Sequence, residues 1–304
     1  MPREVFGAGF AFLPRAEILS YEEISRLVRI LQSLGVKKVR ITGGEPLLRR
    51  DLPQLISGLA ELDLDLALTT NAALLPDQAH ELASAGLRRV TVSLDTLDDE
   101  IFRRMNDVDY PVARVLRGIA AAEAAGLAPI KINSVVKRGV NDHTVVDLAR
   151  RFRHSGNIVR FIEFMDVGTT NGWRLDEVMS GEEILERIHD VFPIEPVDPG
   201  YPGEVAKRWR YVDGAGEIGV ITSVSRPFCG DCSRARLSTD GKLFTCLFAT
   251  EGLDLRAPMR AGVDDEGLRR LLMERWSNRT DRYSEERSSA TAFLSKVEMS
   301  YIGG

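Results

Sequence analysis

Cys229, Cys232 and Cys246 are the chain's only cysteines, and they fall in one short window. A C-x2-C pair presents two thiolates from one turn, and a third 14 residues later can close a metal site. Zinc wants four ligands, and the four histidines, at 80, 143, 154 and 189, all lie away from this segment. Three thiolates suit a [4Fe-4S] cluster with one iron open to a ligand. The spacing alone leaves iron–sulfur and zinc both open. An odd cysteine count does not describe a disulfide framework, and residues 7–13, followed by Pro14 and Arg15, are too weak for a secretory signal. A reducing, cytoplasmic setting is the expectation.

A second candidate is Arg40-Ile-Thr-Gly-Gly-Glu-Pro46, where an apolar strand runs into two glycines. Glycines there let the backbone approach a small ligand, and Glu45 can take an ammonium group. A plain strand-to-helix turn explains the same residues. Thr69, Ser93 with Asp95, and Lys131 with Asn133 put polar groups at other strand ends. Singly, each reads as a cap or a solvated turn, and Asp95 and Thr96 as the start of a helix. Several at one edge of a parallel sheet suggest a site.

The elements that must position these residues repeat from about 20 to 165. Ser20 with Glu23 forms a capping box ahead of Ile24, Leu27, Val28 and Leu31 at helical spacing, and Gly35 ends that helix. Strands are expected at 39–42, 64–70, 90–94, 130–136 and 159–164, and helices near 51–61, 76–85, 111–125 and 142–153. Strands with few alternating polar residues predict a parallel sheet covered on both faces. Doubly wound sheets and barrels both seat ligands at the C-terminal ends of strands. Beyond about 170 the pattern changes to a helix at 180–190, a loop holding Pro193, Pro196, Pro199 and Pro202, strands at 208–212 and 217–222, and a helix at 264–276. A boundary near 170 gives two units, 1–170 and 171–304.

The 304 residues, 44% hydrophobic and 28% charged, describe a globular α/β chain able to bury a large core. No apolar run approaches the ~18 residues of a membrane-spanning helix. A net charge of −5 argues against a general nucleic-acid binder.

The run from 41 to 50, Val92-Ser-Leu-Asp95, Phe161-Ile-Glu-Phe-Met-Asp-Val-Gly168, the cysteine spacing and the final Gly303-Gly304 together resemble the GTP 3',8-cyclases. These are radical S-adenosylmethionine (SAM) lyases that open molybdenum cofactor biosynthesis. The resemblance covers the chain in order. It implies a partial (βα)6 TIM-type radical SAM barrel and a C-terminal α+β iron–sulfur subdomain. It implies that Arg40, Thr69, Lys131, Arg234, Ala235 and Arg236 face GTP, and that Gly44, Ser93 and Met165 line the SAM site. The three cysteines would hold a [4Fe-4S] cluster whose open iron meets guanine, with the Gly303-Gly304 tail reaching into the site. Several cations suit a triphosphate, and arginine forks bind it bidentately. The implied partners are GTP, a reductant protein or flavodoxin-like electron donor, the cyclic pyranopterin monophosphate synthase acting next, and a second copy in a homodimer. Neither nucleic acid nor a membrane is among them.

The resemblance also implies a C-x3-C-x2-C motif after the first strand. Its cluster splits SAM, and the resulting radical takes the 3' hydrogen of GTP before C8 is attacked. Two such clusters need six cysteines, and the sequence has three. The family motif ends Cys-Met-Pro and this sequence begins Met1-Pro2, so the expectation is an internal methionine taken as the start. A barrel of five strands and a chain that makes no product follow. The competing readings are a non-catalytic GTP- and cluster-binding protein, another radical SAM enzyme with an auxiliary cluster, and a zinc-structured module.

Overall fold

A capping box opens the first helix, α1 (Tyr21–Ser33): Ser20 Oγ accepts from Glu23 N at 3.2 Å, and Glu23 Oε2 accepts from Ser20 N at 2.8 Å. Both amides are ones a helix start leaves free. The computed structural model describes residues 13–107, 109–201, 203–287 and 296–303. After α1 come β1 (Lys38–Ile41), α2 (Leu52–Ala60), β2 (Asp65–Thr70), α3 (Leu75–Ser84), β3 (Arg89–Ser93), α4 (Asp99–Asn106), α5 (Val112–Ala124), β4 (Lys131–Val136), α6 (Val145–Phe152) and β5 (Ile158–Glu163). Helix α7 (Gly181–His189) leads to β6 (Ile194–Val197), β7 (Lys207–Tyr211) and β8 (Glu217–Ile221). All eight strands form one sheet, in the order β1-β2-β3-β4-β5-β8-β7-β6.

Strands β1 to β5 are parallel, and β8 returns parallel to β5 with Ile218 opposite Val159. The parallel run therefore has six strands where five were expected. The sheet passes without a break from one side of residue 170 to the other. This is an α/β sheet of the partial TIM-barrel kind, as the sequence predicts.

The sheet is not covered on both faces, which corrects the sequence expectation. Leu66, Leu68, Val90, Val92, Ile132, Val159, Phe161 and Ile218 point to the helices and are almost wholly buried. Each contributes about 1.5–3 kcal/mol by leaving water. The alternate residues are mostly polar: Lys38 and Arg40 on β1, Asp65 and Thr69 on β2, Arg89, Thr91 and Ser93 on β3, Lys131 and Asn133 on β4, Arg160 on β5, with Ala67, Val135, Ile158 and Ile162 among them. Side chains alternate across a strand, so these line the opposite, inner face. The polar alternation was present in the sequence, and it describes a lumen.

Two further differences have local causes. Helix α4 was not expected; Asp98 caps it by accepting from Glu100 N and Ile101 N, while Asp95 points elsewhere. The proline-rich run, expected as a loop, carries β6. Its Pro196 sits opposite Trp209 on the outermost strand, where a missing amide hydrogen is tolerated.

The rest of the chain folds back on α1. A small antiparallel sheet, β9 (Arg236–Leu237), β10 (Lys242–Phe244) and β11 (Leu253–Asp254), precedes α8 (Arg256–Arg260), α9 (Asp265–Ser277), α10 (Tyr283–Glu286) and α11 (Met299–Ile302). Leu243, Leu255, Met259, Leu268 and Leu272 build a second core with Leu19, Leu27 and Ile30. Arg260 pairs with Glu23 at 2.7 Å and Arg26 with Asp265 at 2.6 Å. Helix α1 thus serves two cores, and this holds the cysteine segment beside the mouth of the sheet. Among the described residues no helix is long and apolar enough to cross a membrane.

Candidate active site

The inner face carries more cations than it neutralises. Arg89 pairs with Asp65, and Lys38 shares that carboxylate at 3.4 Å. Arg40, Lys131 and Arg160 have no carboxylate within ion-pair distance among the described residues. Arg40 Nη1 donates to Thr69 Oγ1 at 3.2 Å and to Thr91 Oγ1 at 3.0 Å, and Arg160 Nη2 reaches the same Thr91 at 3.4 Å. Arg160 Nε is buried without a partner. Burial, then Arg160, Arg89 and Lys38, push the Lys131 ammonium down to about 8. Burial and Arg40 hold Arg160 down at about 10. Positive groups that repel one another in a cleft make a seat for a polyanion.

Sequence reasoning missed Arg160, Lys38 and Thr91. Arg160 interrupts an apolar strand, and the β4–β5 register sets it opposite Asn133. That alternation was the available signal.

The glycine turn after β1 is braced by Glu45. Its carboxylate accepts from Leu47 N at 3.1 Å, Thr70 Oγ1 at 2.7 Å and Asn71 N at 2.8 Å. About one of its four acceptor directions stays open, so it works mainly as a strut between the ends of β1 and β2. Gly44 lies in this turn, Ser93 is exposed at the end of β3, and Met165 follows β5. Met165 and Phe228, the residue before Cys229, both pack against the small cluster of Ile162, Ala206 and Ile221. The cysteine turn is thereby seated over the end of β5. Asp95 does not cap α4: it accepts from Val135 N at 2.9 Å, and burial pushes its carboxyl up to about 6.

The three cysteines are half-buried. Arg234 Nε donates to Cys232 Sγ at 3.3 Å, and Arg279 donates to the Cys232 carbonyl. Burial opposes the Cys232 thiolate, yet Arg234 and Arg279 outweigh it and bring the thiol down to about 7. Burial raises the Cys246 thiol, with the Cys229 charge adding to it. No three His, Cys, Asp or Glu side chains among the described residues converge tightly enough for a single metal ion. Thiolates bound to separate irons of a cluster stand further apart than that. Three thiols in a cationic surround fit such a cluster.

Arg236 is the hinge of the arrangement. Burial and Arg234 hold it down at about 10, while the charges of Cys246 and Cys232 act the other way. Its Nε donates to Gly303 O at 3.2 Å. A Cβ on Gly303 would lie 2.4 Å from Thr42 Cγ2, beside the turn holding Gly44. The tail therefore touches both the cysteine side and the mouth of the sheet. Ala235 is exposed between the two arginines. Gly304 lies outside the described residues. Of the expected residues, the structure joins Arg40 to Thr69, Arg234 to Cys232, and Arg236 to Gly303 by hydrogen bonds.

The Radical SAM superfamily matches residues 6–152, and Molybdenum Cofactor Synthesis C matches 157–285. A GTP 3',8-cyclase of Acidothermus cellulolyticus is 52% identical across 100% of this chain and 91% of that protein. The chain belongs to the GTP 3',8-cyclase family. Other GTP 3',8-cyclases, from Xanthomonas axonopodis pv. citri and Staphylococcus carnosus, are 53% and 47% identical over 94% and 100% of this chain, and cover 86% and 91% of those proteins. Among solved structures, SuiB of Streptococcus suis bound to its precursor peptide aligns with a TM-score of 0.48 at 20% identity, over 57% of this chain and 39% of that one. As a GTP 3',8-cyclase the chain is a radical SAM enzyme of molybdenum cofactor synthesis, and its cationic lumen and cysteine turn lie where the two matched regions meet the cleft.

Proposed function

We propose that GTP lies in this cleft with its triphosphate on Arg40, Lys131 and Arg160 and its guanine toward Cys229, Cys232 and Cys246. With SAM and its cluster in place, an enzyme of this family joins ribose C3' to guanine C8, a lyase reaction. The observation carrying this reading is the trio of uncompensated cations on the inner face, joined to the cysteine side through Gly303 and Arg236. Each charged hydrogen bond to a phosphate oxygen is worth about 1.5–3 kcal/mol. Thr69 and Thr91 fix the Arg40 fork before the ligand arrives, so less ordering remains for binding.

Cys229, Cys232 and Cys246 would hold a [4Fe-4S] cluster, which would supply Lewis-acid chemistry toward guanine. Arg234 and Arg279 stabilise the thiolate form of Cys232. Gly44, Ser93 and Met165 would line the SAM site, with Met165 a soft apolar contact. Holding GTP in one orientation is the share of the chemistry that these residues perform. The same reading makes a protein reductant and the synthase of the next step its partners.

A polypeptide of these residues has three cysteines, all committed to this cluster. After anaerobic reconstitution it should carry about four irons, bind GTP saturably, and form no cyclised product. Zinc in place of iron, or no affinity for guanine nucleotides, overturns the reading.

A further inference from the structure

Asp166 stands just beyond β5 and is almost wholly buried, an unusual place for a carboxylate. Three side chains from the C-terminal part converge on it. Arg287 Nε donates to Oδ1 at 2.8 Å, Lys296 Nζ donates to Oδ2 at 2.8 Å, and the Tyr283 hydroxyl donates to the same Oδ2. Lys296 Nζ also reaches the Asp166 carbonyl at 2.9 Å. The side chains of Lys296 and Arg287 are 1% and 6% exposed, so both cations depend on this carboxylate for compensation. The chain leaves at Arg287 and returns at Lys296, and both described ends meet on one side chain.

A second grip lies two residues on. Glu298 accepts from Thr169 N at 2.8 Å, Thr169 Oγ1 at 2.9 Å and Thr170 Oγ1 at 3.1 Å. Gly168 leaves the room for it, since a Cβ there would sit 2.2 Å from Glu298 Oε2. Beyond this grip the chain turns through α11 to Gly303. None of Asp166, Lys296 or Glu298 lies among the groups assigned to GTP, yet each fixes where the tail begins.

We infer that Asp166 and Lys296 form a latch, and that Lys296 is a positioning residue which sets Gly303 against Arg236 and so pre-orders Arg236 for GTP. The inference rests on the placement of GTP proposed above. Without the latch the tail keeps Glu298 on Thr169 and Thr170 and Tyr301 on Asp240, but it loses the buried ion pair that anchors its start, and the Gly303 carbonyl is held less firmly against the Arg236 fork. Ordering a long side chain on binding costs up to about a tenfold loss of affinity.

Lys296→Met is the variant of choice, because it keeps the length of the side chain and leaves Asp166 paired with Arg287 and Tyr283. Its partner is a truncation that removes residues 299–304. Four reconstituted proteins (wild type, Lys296→Met, the truncation and the two combined) are compared for iron content, carboxypeptidase release of the tail, and GTP affinity by equilibrium binding. The expected result is unchanged iron, faster tail release in Lys296→Met, and GTP binding weaker by about tenfold. The double variant should bind no more weakly than the truncation alone, because the latch acts only through the tail. A merely structural role would instead lower iron content, or give losses that multiply. Unchanged tail release in Lys296→Met overturns the latch, and so do multiplying losses. A wild-type protein that protects its tail but ignores GTP overturns the placement of GTP, while the digestion still decides the latch.

Discussion

Arg236 Nε meets Gly303 O at 3.2 Å, so the next-to-last residue of the sequence is held by an arginine four positions after the second cysteine. Gly303 takes φ +72°, and a Cβ there would strike Thr42 Cγ2. Gly303→Ala should therefore displace the tail for two reasons, backbone strain and a clash. Iron content should stay unchanged, while GTP affinity by equilibrium binding drops about tenfold. Equal affinity in the variant would remove the tail from the site.

Arg160 is the clearest test of the triphosphate seat. Among the described residues its polar partner on the inner face is Thr91, which Arg40 also engages, and the Arg40 charge depresses the protonated form of Arg160. Arg160→Met should weaken GTP binding by about 10- to 100-fold and flatten its salt dependence. It should also raise the melting temperature slightly, since a repelling buried cation is gone. Lower stability with intact affinity would mean that the guanidinium serves packing only.

Much of this arrangement was legible in the sequence. The Ser20–Glu23 box and the strand–helix alternation depend on neighbours within a few residues, and they appear as expected. The lumen was misread because Arg40, Thr69, Arg89, Lys131 and Arg160 are each one polar residue in a short strand. Only the register shows that they share a face. The Asp166–Lys296 pair was invisible for a related reason: 130 positions separate its members, and no local pattern marks a buried ion pair. The strand at 217–222 was expected, but its parallel pairing with β5 was not, because β8 joins that neighbour only across the intervening β6 and β7.

Lys131 gives the site a pH dependence with a definite sign. In the free protein its ammonium is held down at about 8, against about 10.4 in an unfolded chain. Between these values the unfolded state binds more protons, so this group makes stability rise with pH from about 8 to 10.4. GTP wants the charged form, so binding takes up a proton above pH 8. Affinity should be flat to about pH 7 and roughly tenfold weaker at pH 9. Lys131→Arg, which stays charged, should remove the decline. The profile is read by titrating binding at constant ionic strength, and an identical slope in the variant would assign it to another group.

Asp95 tests whether the end of β3 is strained by its carboxylate. One oxygen accepts from Val135 N at 2.9 Å, while burial pushes the carboxyl up to about 6. The native state therefore holds a proton between about pH 4 and 6 that the unfolded chain, with a carboxyl near 3.9, has released. More protons in the native state means that stability falls as pH rises through that window, and the loss is complete above pH 6. Asp95→Asn keeps an oxygen to accept from Val135 and carries no charge at any pH. Its melting temperature should match that of the wild type near pH 4, exceed it increasingly up to pH 6, and then keep a constant lead to pH 8. A constant difference across the whole range would mean that the carboxyl titrates alike in both states, and that solvent reaches it freely at the end of β3.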